Sequence, residues 1–485
     1  NYLGEFMKLV KGISVLSAAI LLAACGGSSD SDDEPTALNT YDFPSKLISG
    51  DSSVSHSGQA TRHALIGELK TLIGSDSFQD VGGDRQNALD KLNLIYEVGT
   101  DTVELVNLTN RNVHAGTDEP TPVSISLGTE GVVLDPIDYA EASSGKNLKG
   151  KVAGQDNPLS AGEFIGWDVV TVAGDNSKKG QGVNTAPDLL VQEWFGQLAD
   201  LAVDADPKTK YVTAEGLDLQ QLVQKFLLGS VTYSQAAEDY LRADKGLKKQ
   251  NSAEDDVEKP YTSLEHQWDE GFGYFGAAHD YNLYTDAQNK AQQDNDTNLD
   301  GEIDLYSEYS FGNSVNAAKR DKGATVATDF SKGAMDAFLT GRALIQANFG
   351  TDPLVEDVYQ AYHAELVDIS KVALANWEKA VAATVVHYIN DVIADYALMG
   401  VSTDYSEEKL AKHWSEMKGF ALGLQFSPAS VSVISMADLK SIHADFTEAP
   451  VLTVDAKAAY VAQLNNARDT LQAAYAFDAD NVANW

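Results

Sequence analysis

The stretch VEDVYQAYHAELVDISKVALANWEKAVAATVVHYINDVIADYAL, Val355 to Leu398, decides the fold class. Val358, Tyr362, Leu366, Ile369, Ala373, Trp377, Ala380, Thr384, Tyr388 and Val392 recur every three or four residues. That spacing lays side chains along one face of an α-helix. No Gly or Pro interrupts the run, which predicts a helix of roughly 60 Å, or two collinear ones, at 1.5 Å per residue. The same periodicity appears on either side. Residues 59–73 align Ala64, Leu65, Leu69 and Leu72. Pro187 stands where a helix could begin, ahead of Leu190, Trp194, Leu198 and Leu201. Residues 217–241 align Leu219, Val223, Phe226, Tyr233, Ala237 and Tyr240. Asp404 and Glu407 have capping-box spacing before a helix carrying Leu410, Trp414, Met417, Ala421 and Leu424. Asp455 is read as the cap of a last long helix with Val461, Leu464, Leu471 and Ala474 inward.

Strand signals are sparse. Residues 101–136 alternate between Pro and Gly breaks and could hold a small β-hairpin, and residues 137–186 are rich in Gly, Asp, Ser and Asn. The expectation is a mainly α fold, one or more helical bundles over residues 41–485, with a loop-rich insert at about 100–186.

With 72 acidic against 35 basic residues the net charge is −37. This argues against nucleic acid and anionic lipid surfaces, and suits cations as partners or plain solubility. A hydrophobic fraction of 43% is ample for a core.

The sole cysteine, Cys25, excludes a disulfide framework or a thiolate metal site. It closes Leu22-Ala23-Ala24-Cys25, which reads as a lipobox. Met7-Lys8-Leu9-Val10-Lys11 supplies two positive charges ahead of it, and Gly12 to Ala24 is apolar or small. Asn1 to Phe6 carry no signal character. Residues 1–24 are thus expected to be upstream residues and signal peptide, and 25–40 a lipidated flexible tether. Removing residues 1–24 takes away Glu5, Lys8 and Lys11 and moves the net charge to −38. No Asp follows Cys25 directly, so the expected address is the cell envelope, at the outer membrane. No other apolar run approaches 18 residues, which leaves lipid as the membrane anchor.

Four stretches carry a resemblance. They are VSHSGQATRH (54–63), EHQWDEGFGYF (265–275), AFLTGRA (337–343) and HWSEMKGF (413–420). In this order behind a lipobox they resemble a family of bacterial lipoproteins related to the imelysins, over roughly residues 41–450. The resemblance implies an all-helical envelope protein, bundled in the imelysin-like manner. It also implies an association with iron or haem uptake beside a TonB-dependent receptor or other envelope transporter. The imelysin motif, Gly-x-His-x-x-Glu, matches His413 and Glu416, with Ala411 in place of the Gly.

Two constellations follow from the residues themselves. In DTNLDGEID, Asp296, Asn298 and Asp300 stand at positions 1, 3 and 5 of a loop with Gly301 at the sharp turn, followed by Glu302 and Asp304. Calcium takes six to eight oxygens, and alternate residues of a tight loop converge on one point. Ser307 at position 12 cannot chelate through two oxygens, and Glu308 is one residue further on. An ion-free Asp/Asn turn is the plain alternative.

The second constellation is two helical His/carboxylate groups, His266 with Asp269 and Glu270, and His413 with Glu416, at spacings that share a helix face. If the two faces met inside a bundle they would make an iron or zinc site. Ordinary interhelical hydrogen bonding is the rival reading. His387 with Asp391 and His363 with Glu356 repeat the spacing more weakly. Gly271 and Gly273 suit close helix approach or a helix end rather than a phosphate cradle. G-x-S-x-G, H-E-x-x-H, C-x-x-C-H and P-loop signatures are missing.

The expected function is binding a metal ion, haem or an iron complex in iron acquisition. The alternatives are a metal-dependent hydrolase or peptidase, with Glu270 or Glu416 as base, and a calcium-stabilised interaction protein.

Overall fold

In a computed structural model, the structure describes residues 38–97, 133–134, 147–169, 182–204, 210–253, 258–292, 295–351 and 356–485. The side chains of 133–134, 302 and 356–361 are outside that description. Cys25 with its lipobox, the tether up to residue 37, and nearly all of the expected hairpin region lie outside the described residues.

Fourteen α-helices follow in chain order among the described residues. They are α1 (Ser57–Gly74), α2 (Asp76–Gln79), α3 (Arg85–Tyr96), α4 (Ala186–Val203), α5 (Leu219–Leu227), α6 (Ser263–Phe275) and α7 (Asp286–Ala291). After these come α8 (Gly312–Gly323), α9 (Phe330–Ala347), α10 (Glu356–Leu398), α11 (Glu407–Gly423), α12 (Met436–Phe446), α13 (Lys457–Tyr475) and α14 (Ala479–Asn484). Strands β1 (Val133–Leu134) and β2 (Glu302–Ile303) form a two-residue parallel ladder. The protein is mainly α.

The expected long helix is α10, a single element. Leu366, Ile369, Ala373, Trp377, Ala380, Thr384 and Val392 of its stripe are buried, but so are Leu374, Ala382, Ala383, Val385, Val386 and Ile389 on other sides. A helix buried on several faces has neighbours all round. Here α8, α9, α11 and α13 pack against it, and α5 packs against α11. The core sits along this central helix.

Three expectations are corrected. The single helix over 217–241 is α5 followed by two i→i+5 stretches, Leu228–Tyr233 and Ala236–Tyr240. The first lies where Gly229 crosses Gly423 of α11, and a Cβ built on Gly229 would stand 2.6 Å from the Gly423 Cα. Apolar spacing alone cannot register a widened turn that keeps the same residues inward. The α11 cap is Ser406, whose hydroxyl accepts from the Lys409 N–H, rather than Asp404, which lies too far upstream to reach it. Ahead of α13, Ala456 occupies the cap position without a side-chain bond, so Asp455 falls one residue short. Of 101–136 only Val133–Leu134 is described, paired with Glu302–Ile303 of the Asp-rich loop beside the buried Ile303; the expected hairpin otherwise lies outside the described residues.

The glycines of α6 do bring segments close. A Cβ at Gly271 would lie 2.7 Å from Leu241, and one at Gly273 2.6 Å from the His56 Cβ. Gly276 ends the helix in the left-handed region at φ 73°.

Candidate polar sites

The motif-bearing stretches gather into two polar centres. The first is built on Arg342 of α9, which is fully buried. Its Nε lies 2.8 Å from Asp269 Oδ1, Nη1 3.0 Å from Glu265 Oε1, and Nη2 2.6 Å from Ser53 Oγ. Tyr41 donates its hydroxyl to Asp269 Oδ1 at 2.8 Å, and the Ser55 N–H donates to Oδ2 at 3.2 Å. The Phe43 ring lies 4.9 Å from the guanidinium. Burial pushes the Asp269 carboxyl up and Arg342 pulls it back. Glu265 also closes a capping box with Thr262 at the start of α6. Asp269, expected beside His266 as a ligand, is therefore committed to Arg342. The i, i+3 spacing alone could not show that, because the partner lies 73 residues away.

His266 keeps only Glu270 of its expected partners, at 3.8 Å. Its Nδ1 is 3.1 Å from the Ser55 carbonyl, and its ring stacks on Tyr261 at 4.5 Å. Glu270 also accepts from Gln59 and Gln267, at 3.0 and 3.1 Å. Beside them His56 Nε2 and His279 Nε2 meet at 3.1 Å, and Asp42 lies 3.5 Å from His279 Nδ1. Burial, with His279 adjacent, pushes His56 down to about 3, so it is neutral at pH 7. Sequence reasoning missed this pair. Its one signal was His56 inside the stretch 54–63.

The second centre lies between α8, α10 and α11. His413 Nδ1 is 2.7 Å from Asp395 Oδ2. Its Nε2 is 4.0 Å from Asp391 Oδ2, and the same oxygen is 3.4 Å from His387 Nε2. Glu416 lies 3.5 Å from Lys225 of α5 and accepts the Tyr388 hydroxyl. Burial, relieved in part by Glu416, pushes the Lys225 ammonium down to about 8, with Lys70 and Lys319 adding to the drop. Arg320 of α8 stands next to Tyr388 and Asp391. The expected pair His387/Asp391 forms, and Asp391 reaches His413 across α10 and α11, whereas His413 bonds Asp395 rather than Glu416, which turns to Lys225. Lys225 also lines a small cavity, together with Asn313, Trp377, Glu378 and Phe420.

The two centres remain separate. His266 and His413 share no partner, since α6 packs on α1 and α9 while α11 packs on α5 and α10. The joint iron or zinc site expected from both helices does not form, and no group of three or more His, Cys, Asp or Glu able to hold a metal ion occurs among the described residues. His363 bonds the Ala243 carbonyl at 3.1 Å, and the side chain of Glu356 lies outside the described residues.

In the Asp-rich loop, Asp296 accepts from the Asp300 and Gly301 N–H groups at 3.1 and 2.8 Å, and Gly301 has φ 95°. Asn298 Oδ1 accepts the Asp300 N–H at 2.9 Å, and Asp304 accepts from Tyr306 and Ser307. Glu308 is buried and ties the loop shut. One oxygen takes the N–H groups of Thr297 and Asn298 and the other that of Asp304, at 2.8 to 3.0 Å. Glu308, one residue past the twelfth position, is thus committed to the loop's own N–H groups. The Glu302 side chain lies outside the described residues.

Fold and site together define a helical protein with an arginine-centred buried ion-pair network and a separate polar cluster between α8, α10 and α11. Residues 190–453 match a family described as a domain of unknown function, DUF4856, and the chain belongs to that family. No curated protein and no solved structure matches it. None of the described helices is long and apolar enough to cross a membrane.

Proposed function

We propose that this chain is an envelope lipoprotein, acylated at Cys25 and held at the outer membrane. In this reading it binds an iron complex or haem at the α8–α10–α11 cluster and works with a TonB-dependent receptor or other envelope transporter. The carrying observation is the grouping of His387, Asp391, His413, Glu416 and Tyr388 on facing sides of α10 and α11. Two of these, His413 and Glu416, are the positions matched by the imelysin-like motif. Imidazole, carboxylate and phenolate are donors that iron accepts. Because no three-residue cage forms among the described residues, a liganded iron, which brings donors of its own, suits the cluster better than a bare ion. The reading is of binding rather than catalysis, since the carboxylates beside the histidines hold neighbouring side chains and none flanks a nucleophile.

The test is metal and haem analysis of purified full-length protein after exhaustive dialysis. Iron or haem is expected in the wild type and is expected to be lost in His413→Ala. Zinc together with turnover of a peptide panel would favour the hydrolase reading instead.

Calcium at Asp296, Asn298, Asp300 and Asp304 belongs to the proposal as a staple, because lone pairs remain on these exposed or half-buried oxygens after the backbone bonds are counted. The expected result is a fall in melting temperature on adding EGTA, reversed by excess calcium. An unchanged melt would show that Glu308 alone closes the loop.

A further inference from the structure

The geometry points to an oxyanion subsite centred on Arg320, where a multiply charged carboxylate or phosphate group of a small ligand is gripped. This rests on reading the α8–α10–α11 cluster as the ligand site.

Arg320 is 8% exposed, and its Nε is buried with no hydrogen-bond partner. Among the described residues no carboxylate lies within ion-pair distance of its guanidinium. Arg342, also deeply buried, has two carboxylates and a hydroxyl. A guanidinium does not shed its proton in a protein, so burial cannot be relieved by neutralisation, as it can for lysine or histidine. An isolated buried charge is costly. Asp391 faces it from beyond ion-pair distance, which leaves the guanidinium open to an oxyanion from outside.

Glu416 is engaged by Lys225 and Tyr388, while Asp391 has only the imidazoles of His387 and His413 beside it and faces Arg320 from beyond ion-pair distance. Further cations gather at the same place, Lys225 with 12% of its side chain exposed, the exposed Lys319 next to Arg320, and Lys70. In a chain of net charge −37 these four cations offset Asp391, Asp395 and Glu416 at the same centre, which makes the spot less hostile to anions than the rest of the surface. The Arg fork matches two oxygens of a carboxylate or phosphate, and the neighbouring ammonium groups favour more than one negative charge.

The experiment is calorimetric titration and thermal melting of the full chain with citrate and, separately, with inorganic phosphate, both without iron. At least one of them is expected to bind and to raise the melting temperature, with affinity falling as salt rises. In Arg320→Met that affinity is expected to drop about tenfold or more, while the variant without ligand melts at the same temperature as wild type or higher. A merely structural arginine gives the opposite stability result. Preference for citrate assigns a polycarboxylate ligand, and preference for phosphate a phosphate-bearing one. The subsite is overturned if neither anion binds better than chloride at equal ionic strength, if Arg320→Met binds like wild type, or if that variant melts lower. Iron lost in His413→Ala but anion binding indifferent to Arg320 overturns the subsite alone. Arg320-dependent anion binding without any iron or haem retention overturns the iron reading alone.

Discussion

Replacing Arg342 by methionine is expected to lower folding stability by about 3–5 kcal/mol, the usual result of removing one partner from a buried ion pair. The side chain of Arg342 is wholly inaccessible, as are Asp269 and, to within 1%, Glu265. Methionine fills much of the space, so the loss comes from two carboxylates and the Ser53 hydroxyl left without their donor, with little from a cavity. Lysine does not restore it, because a single ammonium cannot span Asp269, Glu265 and Ser53 in the planar fork the arginine provides. The pH dependence has a definite sign. Unpaired buried carboxyls have folded pKa values above their unfolded ones, so the folded variant takes up protons more readily than the unfolded chain. Its stability is expected to rise as pH falls, and the deficit to narrow from pH 7 toward pH 5. Urea unfolding at the two pH values reads both effects. A loss below about 1 kcal/mol would mean that the network is not the keystone of this side of the bundle.

Gly341→Ala, one residue away, carries the second large effect. By helix propensity alone alanine stabilises a helix interior by up to about 1 kcal/mol. Here the new Cβ would lie 2.1 Å from Cζ2 and 2.4 Å from Cη2 of Trp268. That indole is fully buried, bonded through its N–H to the Phe338 carbonyl at 2.9 Å, and packed against the Phe338 ring. It cannot swing aside without breaking that bond. Overpacking of this kind costs about 1–3 kcal/mol, and with backbone on one side and a tethered ring on the other the upper end is expected. The sign is therefore opposite to propensity. Trp268→Phe in the same background should recover part of the loss, measured as a positive coupling in a double-mutant cycle of urea midpoints. A neutral or stabilising Gly341→Ala would contradict the close α6–α9 contact.

What could be read from the chain was what is local. The apolar spacing of 355–398 was enough for α10 because one uninterrupted period runs through it. The paired glycines of 271–273 announced close packing. The pairs His387/Asp391 and His413/Glu416 were visible as single-helix spacings. That they meet was not, because it depends on how α10 and α11 cross. Arg342 and Arg320 show the limit most clearly. Both are ordinary arginines in sequence, yet one is matched by carboxylates far along the chain and the other by none among the described residues. The turn widening at Leu228–Tyr233 was hidden for a related reason, since it is coupled to Gly423, nearly two hundred residues later. Asp269 was misassigned because its helix neighbour His266 was in view and its true partner was not.

The most direct test of the account is iron-edge anomalous diffraction from crystals of the protein soaked with ferric citrate. The account predicts a peak at the cluster between α8, α10 and α11, among Tyr388, His413 and Arg320. No peak there, or one confined to the Asp296–Asp304 loop, would contradict it.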